Sequence, residues 1–224
     1  MLKNEYVNFL VFKIRFIYYV YLLRNVKDYA DERAVMANKY SIDMLKKGKT
    51  SNRPMKLIGP LQAVECVRKD GHTLSVGCRF ETELLFLTAY GFNPDKLRGL
   101  DMVSYTPWVD LGNMHAMPYS DNSQDTVILG WILPYSDNPK LAASEILRVT
   151  KSGGVVAIGL SAYSDKTIKK MVDEKKFAVN PETRKQTTQS VLDLFGEHVK
   201  SVYFRHDPEP NCDGTCSVIF SIKK

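Results

Sequence analysis

The chain has 224 residues, is 44% apolar and 25% charged, and carries a formal net charge of +6. A chain of this size and composition can build a three-layer core without covalent staples. Four scattered cysteines (Cys66, Cys78, Cys212, Cys216) exclude a secreted disulfide framework and fit reduced thiols in the cytosol.

The charge is uneven. Residues 1–56 hold twelve Lys/Arg against five Asp/Glu, and residues 57–224 sum to −1. The basic character therefore belongs to an N-terminal extension. Such a face is either merely solvated or available to an anionic membrane or nucleic acid.

Residues 9–23 (FLVFKIRFIYYVYLL) are the most apolar stretch, but Lys13 and Arg15 interrupt it. The uninterrupted run that follows is far short of the roughly 20 residues a spanning helix needs. No small-residue cleavage site follows, which argues against a secretory signal. The stretch reads first as a helix docked on the domain, second as an interfacial membrane helix, third as an oligomer contact. Residues 28–45 have helical spacing and are closed by the run 48–54. Residues 1–56 thus read as a basic, aromatic-rich helical extension and 57–224 as the main domain.

In that domain, 72–76 (HTLSV) is a buried strand ending at Gly77, and 81–90 is a helix. A second strand, 97–100, ends at Asp101. Residues 123–129 form a strand and 138–150 a helix with Pro139 in its first turn. Residues 151–154 are a turn before the fully apolar strand 155–160. From 161 the chain is polar, lysine-rich and helical, and 188–195 is a helix ended by Gly196. Residues 199–206 and 216–222 alternate as an antiparallel strand pair. Cys212 and Cys216 fall at its tip, and with no second ligand pair nearby no metal is expected there.

This order predicts an α/β, doubly wound, mostly parallel sheet closed by an antiparallel pair. Ligands in such sheets bind beyond the carboxyl ends of the strands, at the topological switch point. Topology alone therefore directs attention to 77–81, 101–105, 113–115 and 130–135.

Those segments carry a resemblance. LSVGC (74–78) resembles the first motif of class I S-adenosylmethionine-dependent methyltransferases, and RGLDMVS (98–104) the second. LGNMHAMPYSDNSQDTVILGWIL (111–133) is similar to their GD-x-x-x-LPF-x-D-x-SFD segment, and EILRVTKSGGVVAIG (145–159) to their ERVLKPGG turn. The four occur in the family's order over about 90 residues, nearest to the "type 11" small-molecule enzymes. The resemblance implies a seven-stranded Rossmann-like sheet, S-adenosylmethionine as cofactor, and methyl transfer to oxygen or nitrogen of a small or medium-sized acceptor. In it, Asp101 accepts the ribose hydroxyls, Asn113 reads the adenine amino group, and Met114 covers the adenine face. Ser75, Gly77, Cys78, Met102, Gly130 and Trp131 complete the cofactor-binding set. His115 is the candidate general base, and Tyr135 orients or deprotonates the acceptor. Leu100, Val127 and Leu129 read as core.

The departures lie in the first motif. Where the family has D-x-G-x-G-x-G, this chain has Ser75, Gly77, Arg79 and Glu81. Arg79 and Glu81 either grip the cofactor's carboxylate and ammonium, or plug its place, leaving a non-catalytic interaction or membrane-surface protein on a methyltransferase scaffold. The plainer reading of Glu81 and Glu83 is that acids favour a first helical turn. GxGxxG is absent, which argues against a nicotinamide enzyme. The body lacks a basic stripe interleaved with aromatics, so nucleic acid is not the expected acceptor.

Overall fold

Continuous apolar runs need cover on both faces, whereas alternating runs need it on one. The computed structural model, which describes residues 3–29, 55–173 and 187–224, meets both needs with a central sheet between helical layers. In chain order the first elements are α1 (Glu5–Phe16), β1 (Lys27–Asp28), α2 (Met55–Leu61), β2 (Thr73–Val76), α3 (Glu81–Ala89), β3 (Leu97–Asp101), β4 (Val103–Ser104) and β5 (Val109–Leu111). They are followed by β6 (Gln124–Gly130), α4 (Pro139–Val149), β7 (Thr150–Ala162), α5 (Asp165–Asp173), α6 (Thr188–Phe195), β8 (Val199–His206) and β9 (Gly214–Ile222).

Seven strands lie in the order β5-β3-β2-β6-β7-β9-β8. The first five are mutually parallel, and β9 runs antiparallel to both β7 and β8. This is the doubly wound sheet with a terminal antiparallel pair that the sequence predicts. Period-two alternation divides the core. Val127, Leu129, Val156, Ile158, Val218 and Phe220 face α4 and α6. Ile128, Ala157 and Ile219 face α2 and α3. Leu100 is buried with the first set, so the three expected core residues are core.

Local differences have local causes. The expected turn at 151–154 is an irregularity within β7, where the register slips between Gln124 and Thr126 and Gly153 takes φ +80°. Asp28, expected to start a helix, lies in β1, which pairs antiparallel with β4. The remainder of that expected helix and its closing run, 30–54, lies outside the described residues.

The N-terminal stretch adopts the docked reading. Asn4 caps α1, its side chain accepting from the Tyr6 (2.9 Å) and Val7 (3.4 Å) amides. The helix continues with wider π-type turns over Ile17–Leu22. Its inner face packs Phe12 on Phe80 (5.8 Å between ring centroids) and Phe16 edge-on against Tyr105 (5.4 Å).

Candidate functional site

β2 has β3 on one side and β6 on the other, and the chain winds away in both directions from it. The crevice beyond Val76 is therefore the switch point. Gly77 turns the chain there with φ +71°, and Arg79 keeps the same left-handed sense with φ +52°. Trp131, just beyond β6, is also left-handed with φ +63°. A left-handed non-glycine residue costs about 1–2 kcal/mol. Two of them flanking one crevice mark a site that holds strain rather than relaxing it. Arg79 thus preserves the backbone path of the glycine it replaces while placing a long cationic side chain beside the turn.

The turn is fastened to the neighbouring strand. The Gly77 amide donates to the Leu100 carbonyl (2.7 Å), and the Arg79 amide donates to Asp101 Oδ2 (2.8 Å). Asp101 Oδ1 accepts from the Val103 amide (3.3 Å). Burial raises the Asp101 carboxyl, and these N–H donors oppose the rise. An ionised carboxylate has about four acceptor positions. Asp101 therefore ties the first two motifs together, with the Met102 amide as a further donor to the same carboxylate. Below the turn, Cys78 Sγ occupies the space that a side chain on Gly99 would need, 2.5 Å from its ideal Cβ position. Burial drives the Cys78 thiol well up, so it serves as packing and not as a thiolate. Ile132 lies over Gly77, where an added Cβ would come within 2.6 Å of Ile132 Cγ1.

Glu81 departs from its expected role. Its side chain is 0% exposed, and it binds Arg15 of α1 in a two-pronged pair, Nε–Oε2 at 3.0 Å and Nη2–Oε1 at 2.7 Å. Thr106 Oγ1 donates to the same Oε1 (2.6 Å), and the Glu81 amide donates to the Tyr105 hydroxyl (3.4 Å). Where a cofactor ammonium or a backbone donor was expected as its partner, the Glu81 carboxylate here fastens the N-terminal helix over the first motif. The pair in turn holds the Arg15 guanidinium above its ordinary value.

Glu83 takes over a different vacancy. Ser75 stands where the family pattern has an acid, and Ser75 Oγ donates to Glu83 Oε1 (2.6 Å). Glu83 Oε2 lies 3.2 Å from where a Cβ on Gly130 would be, so a side chain there would press the carboxyl aside by a few tenths of an ångström. A buried carboxyl is thus supplied from the first turn of α3 rather than from the end of β2. Burial pushes it up to about 7, against the pull of the Ser75 bond.

The third segment forms the opposite lip. Asn113 Oδ1 accepts from the His115 amide (3.0 Å), and Met114 packs against the core formed with α4. His115 Nε2 lies 2.7 Å from Ser136 Oγ and 3.6 Å from Asp137 Oδ1, which joins this lip to the loop after β6. Arg148 of α4 anchors the lip from beneath. It donates to the Met117 and Tyr119 carbonyls (3.0 and 2.8 Å) and to Asp121 (2.7 Å), and it pairs with Glu145, which accepts from the Met117 amide. Trp131 is buried, with an indole Nε1 that meets no acceptor among the described residues, whereas Tyr135 stands exposed at the rim. Met102 borders the crevice next to Asp101, its carbonyl accepting from the Tyr29 amide (2.8 Å).

Comparison with known proteins agrees with this geometry. Residues 74–158 match the family model described as a methyltransferase domain. The chain has the seven-stranded, Rossmann-like fold of class I methyltransferases. No curated protein matches the chain by sequence. Solved structures similar in fold include a putative S-adenosyl-L-methionine-dependent methyltransferase from Methanococcus maripaludis (20% identity, 83% of this chain and 93% of that one, TM-score 0.53). A putative sarcosine dimethylglycine methyltransferase from Galdieria sulphuraria is another (14%, 75% and 84%, TM-score 0.59). A third is geranyl diphosphate C-methyltransferase from Streptomyces coelicolor, bound to Mg2+, geranyl diphosphate and S-adenosyl-L-homocysteine (11%, 87% and 86%, TM-score 0.54). At these identities the likeness is one of fold.

The structure brings Gly77, Cys78, Arg79, Asp101, Met102, Gly130 and Trp131 to the carboxyl ends of β2, β3 and β6. Asn113, Met114 and His115 follow the end of β5, and His115 reaches Ser136 in the loop after β6. Sequence reasoning missed Arg15, Thr106 and Glu83 as participants. The available signal for Glu83 was the missing acid at Ser75 combined with a second Glu in the first turn of α3. For Arg15 it was a cation standing inside an otherwise apolar helix.

Proposed function

We propose that this chain transfers a methyl group from S-adenosylmethionine to oxygen or nitrogen of a small or medium-sized acceptor. The observation that carries the reading is the left-handed turn at Gly77 and Arg79, tied through the Arg79 amide to the carboxylate of Asp101. When bound, the cofactor supplies a methyl carbon already activated by its sulfonium. The protein's work is then to bind, orient and exclude water, and no base is obligatory. Asp101, at the end of β3, accepts from the ribose hydroxyls. Asn113 offers an amide for the adenine edge and Met114 an apolar cover. Arg79 pairs with the carboxylate end, while Ser75, Cys78 and Glu83 support the turn from below. His115 Nε2, steadied by Ser136, and the exposed Tyr135 hydroxyl serve the acceptor. Residues 57–224 act as the methyltransferase-like domain and 1–56 as an extension forming one wall. Among the described residues no helix is long and apolar enough to cross a membrane. The proposed compartment, argued from the scattered cysteines, is the cytoplasm, with or without peripheral contact to a membrane.

A second reading, a non-catalytic scaffold, is favoured by two specific contacts: Ile132 lying over Gly77, and Glu81 committed to Arg15. Titration of the full chain with S-adenosylhomocysteine separates the two. Enzymatic function requires saturable heat with micromolar affinity. A folded sample that gives none supports the scaffold.

A further inference from the structure

The docked N-terminal helix has a second face that the methyltransferase reading does not use. Tyr6, Leu10, Ile14 and Ile17 follow the four-, four- and three-residue steps that keep one helical face together. They point away from Phe12, which anchors the buried side. Tyr6 is 86% exposed, Leu10 58% and Ile14 60%. The π-type turns prolong the stripe through Tyr18, Tyr21 and Leu22, the last 70% exposed. An aliphatic stripe this long is unusual on a soluble surface and marks a contact.

The chemistry around the stripe names the occupant. Lys13 lies on the helix, Lys3 just before it, and Arg24 and Lys27 just beyond it, all exposed. Protein–protein interfaces are depleted in lysine, whereas helices lying in a lipid interface combine lysine and arginine with a leucine-rich and aromatic face. Tyrosine, with an apolar ring and a polar tip, prefers the headgroup level. The excess of five Lys/Arg over two Asp/Glu in residues 3–29 supplies attraction to an anionic leaflet.

We infer that the outer face of α1 and the π-helical turns after it lie in the interface of an anionic phospholipid membrane. Leu10, Ile14 and Leu22 enter the acyl boundary, and Lys13, Arg24 and Lys27 meet the headgroups. This binding is independent of cofactor or methyl transfer. Its inner face stays where it is, because Phe12, Phe16 and Arg15 already hold it on the domain.

The test is co-sedimentation of the full chain with vesicles of phosphatidylcholine, alone or mixed with phosphatidylserine. Binding to the mixed vesicles is expected, weakening with salt. The double variant Leu10→Glu with Ile14→Glu should bind on the order of a hundredfold more weakly. Lys13→Gln and Arg24→Gln should each lose about fivefold on the mixed vesicles and nothing on phosphatidylcholine alone. All these side chains face solvent, so circular dichroism and melting should not change. If the double variant fails to fold, Leu22→Ser reads the same insertion one turn on. The inference is overturned if the folded wild type ignores both vesicles, or if the variants bind as it does. It is overturned equally if sedimentation equilibrium shows a dimer that Leu10→Glu breaks while vesicles bind nothing.

Discussion

Replacing Arg15 with Met tests how the N-terminal helix is held. The Glu81 carboxylate is fully buried and accepts three hydrogen bonds, two from Arg15 and one from Thr106. Removing one partner of a buried pair costs about 3–5 kcal/mol, because the other charge is stranded. Arg15 itself is 35% exposed, so water can follow the cut and solvent already screens the pair. A cost of about 2–3 kcal/mol is the resulting expectation for Arg15→Met. Glu81→Gln, which leaves a guanidinium that can reach water, should cost about 1 kcal/mol. The double variant has no stranded charge, so the cycle should show a favourable coupling of about 1–2 kcal/mol. Urea unfolding of the four proteins measures the cycle. Hydrogen exchange of the α1 amides should accelerate on the order of a hundredfold in Arg15→Met, because the helix detaches before the sheet does. Additive effects with a cost under about 0.5 kcal/mol would refute the buried-clasp account and make the pair an ordinary surface bridge.

Other outcomes follow from the same geometry. Glu83 sits at about 7 in the fold against an ordinary 4.5. The folded state therefore holds this proton more tightly, and the associated stability is full below the unfolded value and lost as pH rises through the folded one. The loss should total about 3 kcal/mol between roughly pH 5 and 8, and urea midpoints of Glu83→Gln should lack that slope. Asp101→Asn should weaken S-adenosylhomocysteine binding about ten- to a hundredfold in calorimetry, and should also lower the melting temperature, because an amide nitrogen cannot accept from the Arg79 or Val103 amide as the lost oxygen did. Gly99→Ala should destabilise by about 1–3 kcal/mol through the clash with Cys78 Sγ, and adding Cys78→Ala should recover much of that loss in thermal melts.

Sequence pattern captured what is local. Strands β2, β6, β7 and β9 are apolar runs bounded by glycine or polar turns, and α4 has a capping Asn138, a first-turn Pro139 and a clear apolar face. What escaped was short or non-local. β5 has three residues and β1 and β4 two each, too few for any period to show. α2 carries Pro60 and Gly59, which read as breakers, yet tertiary packing of Leu57, Ile58 and Leu61 overrides them. The site divides the same way. Gly77 and Asp101 were visible because each ends a strand. The partnership of Arg15 with Glu81 spans 66 residues and has no sequence signature. Glu83 looked like a helix-dipole acid, and only burial against Ser75 and Gly130 distinguishes it.

The most direct test of the methyltransferase reading is a crystal structure grown with saturating S-adenosylhomocysteine. The expected result is a nucleoside beside Gly77, its ribose hydroxyls on Asp101 and the Ile132 side chain swung clear. A well-ordered crystal in which Ile132 and Arg79 occupy that space, with no ligand there, would contradict it.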